Sequence, residues 1–277
     1  MKTIALPAGE KVPALGQGTW NMGDRAATRA EEIAALRLGL DHGMTLIDTA
    51  EMYGSGKSEM LVAEAIAGRR NEVFLVSKVL PENATRAGTI AACERSLERL
   101  KTDRLDLYLL HWRGNAPFAE TLEAFSRLQA AGKIRHHGVS NLDLGEMREW
   151  ISLAGGKGVA SNQVLYNLSR RNVEWDLAPW LREKRIPLMA YSPLEQARLL
   201  KHKGLRKFAE THGMSPAQAA LSWLLAQDNV IAIPKSSRRE RVLENVGALE
   251  HPLDAAQLAE LDRLFPPPKR GGPLEML

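Results

Sequence analysis

Three ionisable side chains, Asp48, Lys78 and His111, each end an apolar run, and they lie 30 and 33 positions apart in the chain. Tyr53 lies just beyond the first of these runs. A phenol has a pKa of about 10 and donates its proton poorly at neutral pH, but a neighbouring ammonium group favours the phenolate form. Asp48 would hold Lys78 in place, and His111 would orient the reacting oxygen by a hydrogen bond. The four residues predict a proton donor centred on Tyr53.

A single polar residue at the end of a strand is more often a solvated cap or half of a salt bridge. In this chain, however, most of the predicted strands end in this way. The polar residues at these ends are Asp48, Lys78, His111, Ser140 with Asn141, Gln163, Tyr191 and Lys235. The tendency of strands to stop at polar residues explains one or two of these positions, but not seven with such varied chemistry. We therefore expect them to form one site.

The elements that would bring these residues together are short apolar strands that alternate with amphipathic helices. Strands are predicted at residues 15–18, 45–48, 73–78, 105–111, 134–140, 159–163, 187–192 and 230–234. Most of these runs are continuously apolar, as is typical of parallel strands buried on both faces. Helices are predicted at residues 28–42 and 118–131, each followed by a glycine, and Ser215-Pro216 begins another.

Eight strand–helix units follow one another without a linker typical of a domain boundary. An open doubly wound sheet usually has about five or six strands, so eight units favour closure into a barrel. The sequence therefore predicts an α/β protein with a (β/α)₈ TIM barrel that forms one domain over residues 1–277. Residues 4–6 and 12–14 predict an N-terminal β-hairpin, residues 254–265 an extra C-terminal helix, and residues 266–277 a short loose tail. The C-terminal strand ends of such a barrel open on the face that carries active sites.

The composition is typical of a globular enzyme with a sizeable core, since 44% of the residues are hydrophobic and 25% are charged. The net charge of +4 comes from dispersed residues, and the only dense basic stretch, 235–241, suits a small anion better than a nucleic acid. No apolar run reaches the ~18 residues of a membrane span, and the N-terminus lacks the features of a signal peptide. With a single cysteine, Cys93, a reducing compartment fits. We expect a cytoplasmic monomer without nucleic-acid or membrane partners.

Five segments of the chain, in order, resemble the aldo-keto reductase superfamily. They are Asp48-Thr49-Ala50-Glu51-Met52-Tyr53, Val76-Ser77-Lys78, Leu107-Tyr108-Leu109-Leu110-His111-Trp112, Gly138-Val139-Ser140-Asn141 and Ile233-Pro234-Lys235-Ser236. The resemblance runs from Gly16 to Asn245 and is nearest to bacterial members that reduce small ketoaldehydes such as methylglyoxal. It implies an NADPH-dependent carbonyl reductase with Tyr53 as the acid, Lys78 and Asp48 as its support, and His111 as the residue that orients the carbonyl.

The resemblance also implies where the cofactor, NADPH or NADP⁺, would bind. Ser140, Asn141 and Gln163 match positions that hydrogen-bond the nicotinamide amide. Tyr191, followed by Ser192 and Leu194, matches the aromatic residue that stacks under the nicotinamide ring. The residues that match the site for the 2′-phosphate and the adenine are Lys235, Ser236, Arg241, Glu244 and Asn245. The alternative reading of this last group is a solvated basic helix end.

The substrate pocket is expected to be lined by Trp20, Met52 and Trp112. The loop after His111 is short because the next helix begins near Phe118, and the tail after Phe265 is short as well. We therefore expect a shallow, open site that relies on intrinsically reactive carbonyls, such as methylglyoxal, other α-ketoaldehydes and activated aromatic aldehydes. Arg113, Leu165 and Arg238 depart from the usual pattern of the family, but none of them belongs to the four reactive residues.

Three other functions compete with a reductase. Gly54-Ser55-Gly56-Lys57-Ser58 resembles the end of a phosphate-binding loop, but Glu51 stands where that motif requires glycine. A metal-dependent barrel hydrolase would need histidines on one strand face, whereas the adjacent His136 and His137 point to opposite faces, so no metal is expected. Relatives of the family can also act as cofactor-sensing subunits. Here the complete set of four reactive residues favours an enzyme.

Overall fold

The computed structural model describes residues 1–277 and contains ten strands and ten α-helices. The strands are β1 (Thr3–Ala5), β2 (Lys11–Pro13), β3 (Gln17–Gly18), β4 (Leu46–Asp48), β5 (Phe74–Val79), β6 (Leu105–Leu110), β7 (Ile134–Ser140), β8 (Asn162–Leu165), β9 (Leu188–Tyr191) and β10 (Val230–Ala232). The helices are α1 (Arg29–Asp41), α2 (Lys57–Ala65), α3 (Arg86–Leu100), α4 (Phe118–Ala130), α5 (Leu144–Ser152), α6 (Leu177–Glu183), α7 (Lys203–Thr211), α8 (Pro216–Ala226), α9 (Arg239–Gly247) and α10 (Ala255–Leu264).

Strands β3 to β10 form a single parallel sheet in chain order, and this sheet closes on itself. At the seam between its first and last strands, Leu15 pairs with Ala232 and Gly18 pairs with Lys235. The seam requires glycine at position 18, because a Cβ there would lie 2.8 Å from the carbonyl oxygen of Ile233. The prediction of a (β/α)₈ barrel is confirmed.

The hairpin and the extra helix are also present. Strands β1 and β2 pair antiparallel with Ile4 opposite Val12, and both of these side chains are buried. Glu10 fastens the hairpin to the start of β7 through Arg135 and His136. Helix α10 is capped by Asp254, and α8 by the predicted capping box at Ser215. Helix α7, which precedes α8, was not predicted from the sequence.

The largest difference from the predicted elements concerns the sixth barrel strand. The sequence predicts it at residues 159–163, but β8 spans Asn162–Leu165. A 3₁₀ turn at Gly156–Gly158 delays the start of the strand, and Val164 and Leu165 continue it. Because apolar residues lie on both sides of the true boundary, hydrophobicity alone could not locate it.

One apolar core of 70 residues joins the barrel interior to the surrounding helices. Lys78 and Asp48 lie within this interior at 0% and 2% exposure, although each isolated buried charge costs several kcal/mol. The two charges must therefore be compensated locally, as described below. None of the helices is both long enough and apolar enough to cross a membrane.

Residues 266–277, for which the sequence predicts a loose tail, contain no helix or strand. Three contacts nevertheless hold this tail against the barrel. Glu275 forms an ion pair with Arg170 at 2.8 Å, and Gly271 lies close against the indole of Trp175. The backbone N–H of Leu277 donates to the hydroxyl of Tyr191 at 3.4 Å. The contact with Tyr191 brings the tail to the C-terminal end of β9.

Candidate active site

The C-terminal ends of the barrel strands surround a cavity of about 840 Å³. It brings together all but one of the side chains that the sequence suggested for the site. They are Trp20, Asp48, Met52, Tyr53, His111, Trp112, Ser140, Asn141, Gln163, Tyr191, Ser192, Leu194, Lys235, Ser236, Arg241, Glu244 and Asn245. The exception, Lys78, is fully buried beneath the cavity and reaches it through its contact with Tyr53.

Lys78 uses all three of its ammonium protons. Its Nζ donates to Asp48 Oδ2 at 2.8 Å, to the carbonyl oxygen of Thr49 at 2.9 Å and to the hydroxyl of Tyr53 at 3.1 Å. Burial opposes ionisation, but Asp48 and Tyr53 together raise the pKa of Lys78 above its ordinary value. Lys78 is therefore a charged group at neutral pH that touches the phenol directly.

The strand register explains how Lys78 meets Asp48. Asp48 lies opposite Val76 in the β4–β5 ladder, and Lys78 is two residues farther along β5, so it points to the same side of the sheet as Val76. Tyr53 comes from the 3₁₀ turn Tyr53–Gly56, where Gly54 and Ser55 adopt left-handed conformations. This arrangement turns the chain after β4 back over the strand ends.

Glu51 anchors the segment that carries Tyr53, a role that the sequence did not indicate. Its buried carboxylate accepts hydrogen bonds from the backbone N–H of Leu80 at 2.8 Å and from Asn83 Nδ2 at 3.0 Å. These donors lie in the loop that follows β5, the strand of Lys78. Glu51 thus ties the phenol-bearing segment to the strand that supplies the ammonium group.

The proton affinity of Tyr53 results from two opposing effects. Burial raises the pKa of the phenol, and the adjacent Lys78 lowers it. The net shift of the pKa is upward, whereas the sequence alone leads to the expectation that Lys78 makes the phenol more acidic. That expectation was wrong in its net direction because it left burial out. The phenol is consequently protonated at neutral pH, and Lys78 stabilises the phenolate that proton release would leave.

His111 is a neutral imidazole beside the phenol. It is 7% exposed, and its ring stands edge-on to the Tyr53 ring with the centroids 6.0 Å apart. Burial, assisted by the charge of Lys78, lowers the pKa of His111 to about 2. No protein group hydrogen-bonds its Nδ1. At neutral pH, His111 can therefore offer an uncharged N–H to a substrate oxygen.

A hydrogen-bonded group on the next three strands forms another wall of the cavity. Ser140 Oγ donates to the backbone oxygen of Gln163 at 2.8 Å, and Asn141 Nδ2 donates to Ser140 Oγ at 3.2 Å. The Tyr191 hydroxyl donates to Asn141 Oδ1 at 3.1 Å. These contacts hold the side chains in place within the protein itself. Their free faces present amide, hydroxyl and aromatic groups to the cavity.

The basic residues lie at the barrel seam, between β10 and α9. Lys235 Nζ donates to Ser237 Oγ at 2.7 Å, and burial lowers the pKa of Lys235. Arg241, on α9, forms an ion pair with Glu244 one turn later. Two cations beside the start of a helix suit an anionic group. Arg238, which departs from the family pattern, immediately precedes this helix and does not line the cavity.

Arg113, the other basic departure, does not line the cavity. Its guanidinium lies 4.4 Å from the centroid of the Phe118 ring and pairs with Glu149 at 2.6 Å. It therefore stabilises the start of α4 against α5. The short loop after β6 that was inferred from the sequence is present.

Two segments that the sequence did not suggest also border the cavity. Gln196 and Ala197 form a left-handed turn, with φ values of 51° and 67°, held by buried Glu195 and its ion pairs with Arg170 and Arg198. The second segment is the end of the tail, Met276 and Leu277. The sequence gives no local signal for either segment. The left-handed turn is made of ordinary residue types, and the tail reaches the cavity through a contact between distant parts of the chain. The site is less open on this side than the tail composition predicts.

The donor set does not suit a metal ion, because no three His, Cys, Asp or Glu side chains cluster together. His136 pairs with Glu10, and His137 is buried beside Phe125 and Trp150. The cavity groups instead suit an extended organic molecule that carries an anion at one end and an amide at the other. Lys235 and Arg241 match the anion, and Asn141, Gln163 and Tyr191 match the amide-bearing ring.

The fold and the site define the chain as a closed parallel barrel with a buried Asp–Lys–Tyr contact at the C-terminal ends of its strands. The sequence profile of the Aldo/keto reductase family matches residues 14–265, and the chain belongs to this family. It is 49% identical to methylglyoxal reductase YeaE of Escherichia coli strain K12, over 100% of this chain and 99% of the relative. It is 34% identical to glyoxal reductase of Bacillus subtilis strain 168, with 95% and 92% covered.

A solved structure supports the same relationship. An aldo-keto reductase from Klebsiella pneumoniae in complex with NADPH superposes on the chain with a TM-score of 0.97 at 49% identity. The superposition covers 100% of this chain and 99% of the other. The chain is therefore an oxidoreductase of the aldo-keto reductase type.

The low proton affinity of His111 leads to a pH prediction. In the unfolded chain its pKa has the ordinary value of 6.5, whereas in the folded protein it is about 2. Below about pH 6.5 the unfolded state therefore binds a proton that the folded state does not, and stability is lost as the pH falls. We expect the free energy of unfolding to decrease below this pH less steeply in His111→Gln than in the wild type.

The same property can be followed directly by NMR. The His111 imidazole signal, identified by its absence in His111→Gln, should not titrate between about pH 5 and 8. A titration midpoint within that interval would contradict the strong lowering of the pKa of His111, and a midpoint above pH 7 would show that the imidazole is mainly charged at neutral pH.

Proposed function

We propose that this chain reduces small, reactive aldehydes and ketones to alcohols with NADPH, and that methylglyoxal and related α-ketoaldehydes are its preferred substrates. The observation that carries this proposal is the contact of one buried ammonium group, Lys78, with both Asp48 and the Tyr53 phenol at a cavity surface. Such an arrangement supplies a proton at a fixed atom. The two relatives described above, a methylglyoxal reductase and a glyoxal reductase, are named for the same kind of substrate.

NADP(H) is the cofactor. Its 2′-phosphate requires cations, and Lys235 and Arg241, which follow β10 in the chain, both line the cavity. Its nicotinamide requires hydrogen-bonding groups and a flat apolar surface, which Ser140, Asn141, Gln163 and Tyr191 offer in or directly after β7, β8 and β9, with Ser192 and Leu194 adjoining. We assign Ser236, Glu244 and Asn245 to the adenosine part of the cofactor, because they also line the cavity and are neighbours of Lys235 and Arg241 in the chain.

NADPH, when bound, supplies the hydride that a carbonyl carbon accepts. The residues of the chain act on the carbonyl oxygen. Tyr53 donates its proton to that oxygen as negative charge develops on it, and Lys78 stabilises the phenolate that remains. Asp48 keeps Lys78 charged, and the neutral imidazole of His111 orients the oxygen without competing as an acid.

The preference for small substrates follows from the size of the cavity. The cofactor and the substrate would share one cavity of about 840 Å³. Trp20, Met52 and Trp112 offer apolar surface to the substrate, and Trp20 and Met52 remain 42% and 43% exposed. A substrate gains little binding energy from so small a contact, so its carbonyl must be intrinsically reactive. Activated aromatic aldehydes such as nitrobenzaldehyde meet the same condition.

The role of Tyr53 can be tested by removing one oxygen. Tyr53→Phe should lower the turnover number for methylglyoxal by at least about 100-fold, because the neutral His111 can hydrogen-bond the carbonyl oxygen but does not replace Tyr53 as the acid that transfers a proton to it. NADPH affinity, measured by quenching of protein fluorescence, should change little. The matched control is Tyr108→Phe, since the Tyr108 hydroxyl is buried without a hydrogen-bond partner and should be dispensable. Turnover above a tenth of the wild-type value in Tyr53→Phe would exclude this residue as the acid.

The role of Arg241 can be tested through the difference between the two nicotinamide cofactors. The wild type should bind NADPH about tenfold or more tightly than NADH, because charge-assisted hydrogen bonds reach the 2′-phosphate. Arg241→Ala should remove most of this difference, while Arg239→Ala, exposed on the same helix but outside the cavity, should preserve it. Equal affinities for the two cofactors in the wild type would mean that the basic residues form only a solvated helix end.

The substrate class can be tested by steady-state kinetics with a panel of carbonyl compounds. Methylglyoxal and nitrobenzaldehyde should give the highest kcat/KM values, long-chain unactivated aldehydes and steroid ketones low values, and glucose a very low one. A steroid ketone with a higher kcat/KM than methylglyoxal would refute the small-pocket argument and leave the reductase assignment standing. The absence of NADPH oxidation with every carbonyl would favour a cofactor-sensing role instead.

A further inference from the structure

Gln163 connects the two halves of the site. Its Nε2 donates to Asp48 Oδ1 at 2.7 Å and lies 2.9 Å from Met189 Sδ. The other carboxylate oxygen of Asp48, Oδ2, receives the Lys78 ammonium. Both Asp48 and Gln163 are 2% exposed, so water does not compete effectively for this contact. One carboxylate oxygen of Asp48 therefore contacts Lys78 of the proton-donor group. The other contacts Gln163, which lies on the wall suited to the amide-bearing ring.

The contact with Asp48 fixes which way the Gln163 amide faces. A side-chain amide has a donor side and an acceptor side, and rotation by 180° exchanges them. An ionised carboxylate only accepts hydrogen bonds, so the NH₂ group must face Asp48. The Oε1 atom consequently faces away from Asp48, and no protein group donates to it. Gln163 lines the cavity, and its oxygen is left as an acceptor for a ligand.

We propose that Asp48 is a positioning residue for cofactor recognition, in addition to its support of Lys78. Because Asp48 holds the NH₂ group of Gln163, the Gln163 oxygen is left at the cavity as a hydrogen-bond acceptor. An acceptor at this point matches the NH₂ group of a nicotinamide carboxamide. This inference rests on the proposed function, which places the nicotinamide beside Gln163. The charged carboxylate of Asp48, which belongs to the proton-donor group, thus determines whether Gln163 presents an acceptor or a donor to the cofactor.

The proposal predicts the effect of a neutral isostere at position 48. The ammonium group of Lys78 only donates, so the new amide of Asp48→Asn must turn its oxygen toward Lys78 and its NH₂ toward Gln163. Gln163 must then rotate to offer its oxygen, and its NH₂ group faces the cavity. The single substitution therefore exchanges an acceptor for a donor at the cavity surface without changing Gln163 itself.

The test compares NADPH with its reduced 3-acetylpyridine analogue, in which an acetyl group replaces the carboxamide. The acetyl group accepts hydrogen bonds but cannot donate one. In the wild type the analogue leaves the Gln163 oxygen unpaired and should bind about tenfold or more weakly than NADPH. In Asp48→Asn and in Gln163→Met this ratio should fall at least several-fold. Dissociation constants are obtained by quenching of protein fluorescence, so that no turnover is needed.

Two controls separate the proposed link from a general disturbance of the site. Tyr53→Phe removes the proton donor but leaves Asp48 and Gln163 in contact, so the ratio should stay at the wild-type value. Asp106→Asn makes the same chemical change at another buried carboxylate, which pairs with Arg70 and Arg135 away from the cavity, and should also preserve the ratio. Because Asp48 acts through Gln163, the double variant Asp48→Asn/Gln163→Met should show no further loss than Gln163→Met alone.

The outcomes distinguish this inference from the proposed function. An unchanged ratio in Asp48→Asn, with NADPH still bound, would overturn the inference alone. Failure of the wild type to bind NADPH would overturn the proposed function. Should Asp48→Asn not fold, Asp48→Ala removes the acceptor and frees the Gln163 amide to take either orientation, so the ratio should again fall. A wild-type ratio in Asp48→Ala would contradict the proposal equally.

Discussion

The burial of one positive charge, that of Lys78, governs the arrangement of this site. An ammonium group without water requires a partner for each of its protons, and the barrel supplies a carboxylate, a backbone carbonyl and a phenol. Removing any one of them would leave a buried donor unpaired, which is costly in a low-dielectric interior. The geometry of the proton donor is therefore a consequence of satisfying a buried cation. The other parts of the site, including the anchor at Glu51, hold these three partners where the cation needs them.

The closure of the barrel determines where the rest of the site lies. Strands β3 and β10 are the first and last in the sheet, and the seam between them brings Gly18 beside Lys235. Without closure, the basic residues after β10 and the residues after β3 would lie on opposite edges of an open sheet. With it, Trp20 and Lys235 border the same cavity. Because the seam closes the sheet, residues that follow the first and the last strand lie around one ring of strand ends.

The sequence could predict features that depend on local patterns or on the rule that parallel strands share a polarity. Asp48, Lys78 and His111 were recognisable because each one ends an apolar run, and the barrel follows from the number of such runs. The start of β8 could not be predicted, because Val159 and Ala160 are as apolar as the residues that replace them in the strand. The net proton affinity of Tyr53 depends on its burial, which emerges only when distant segments pack. Met276 and Leu277 reach the cavity through contacts with distant parts of the chain, which no local pattern records.

The position of Arg170 has a consequence for how such a protein can diversify. This one guanidinium holds Glu195, beside the left-handed turn, and Glu275, in the tail. Both segments lie outside the barrel ladder, and neither carries any of the four reactive residues. Substitutions within them can reshape one wall of the cavity while the buried charge and its partners stay as they are. The molecule thereby separates its reactive centre from an adaptable boundary, so a lineage can explore new substrates without rebuilding its chemistry.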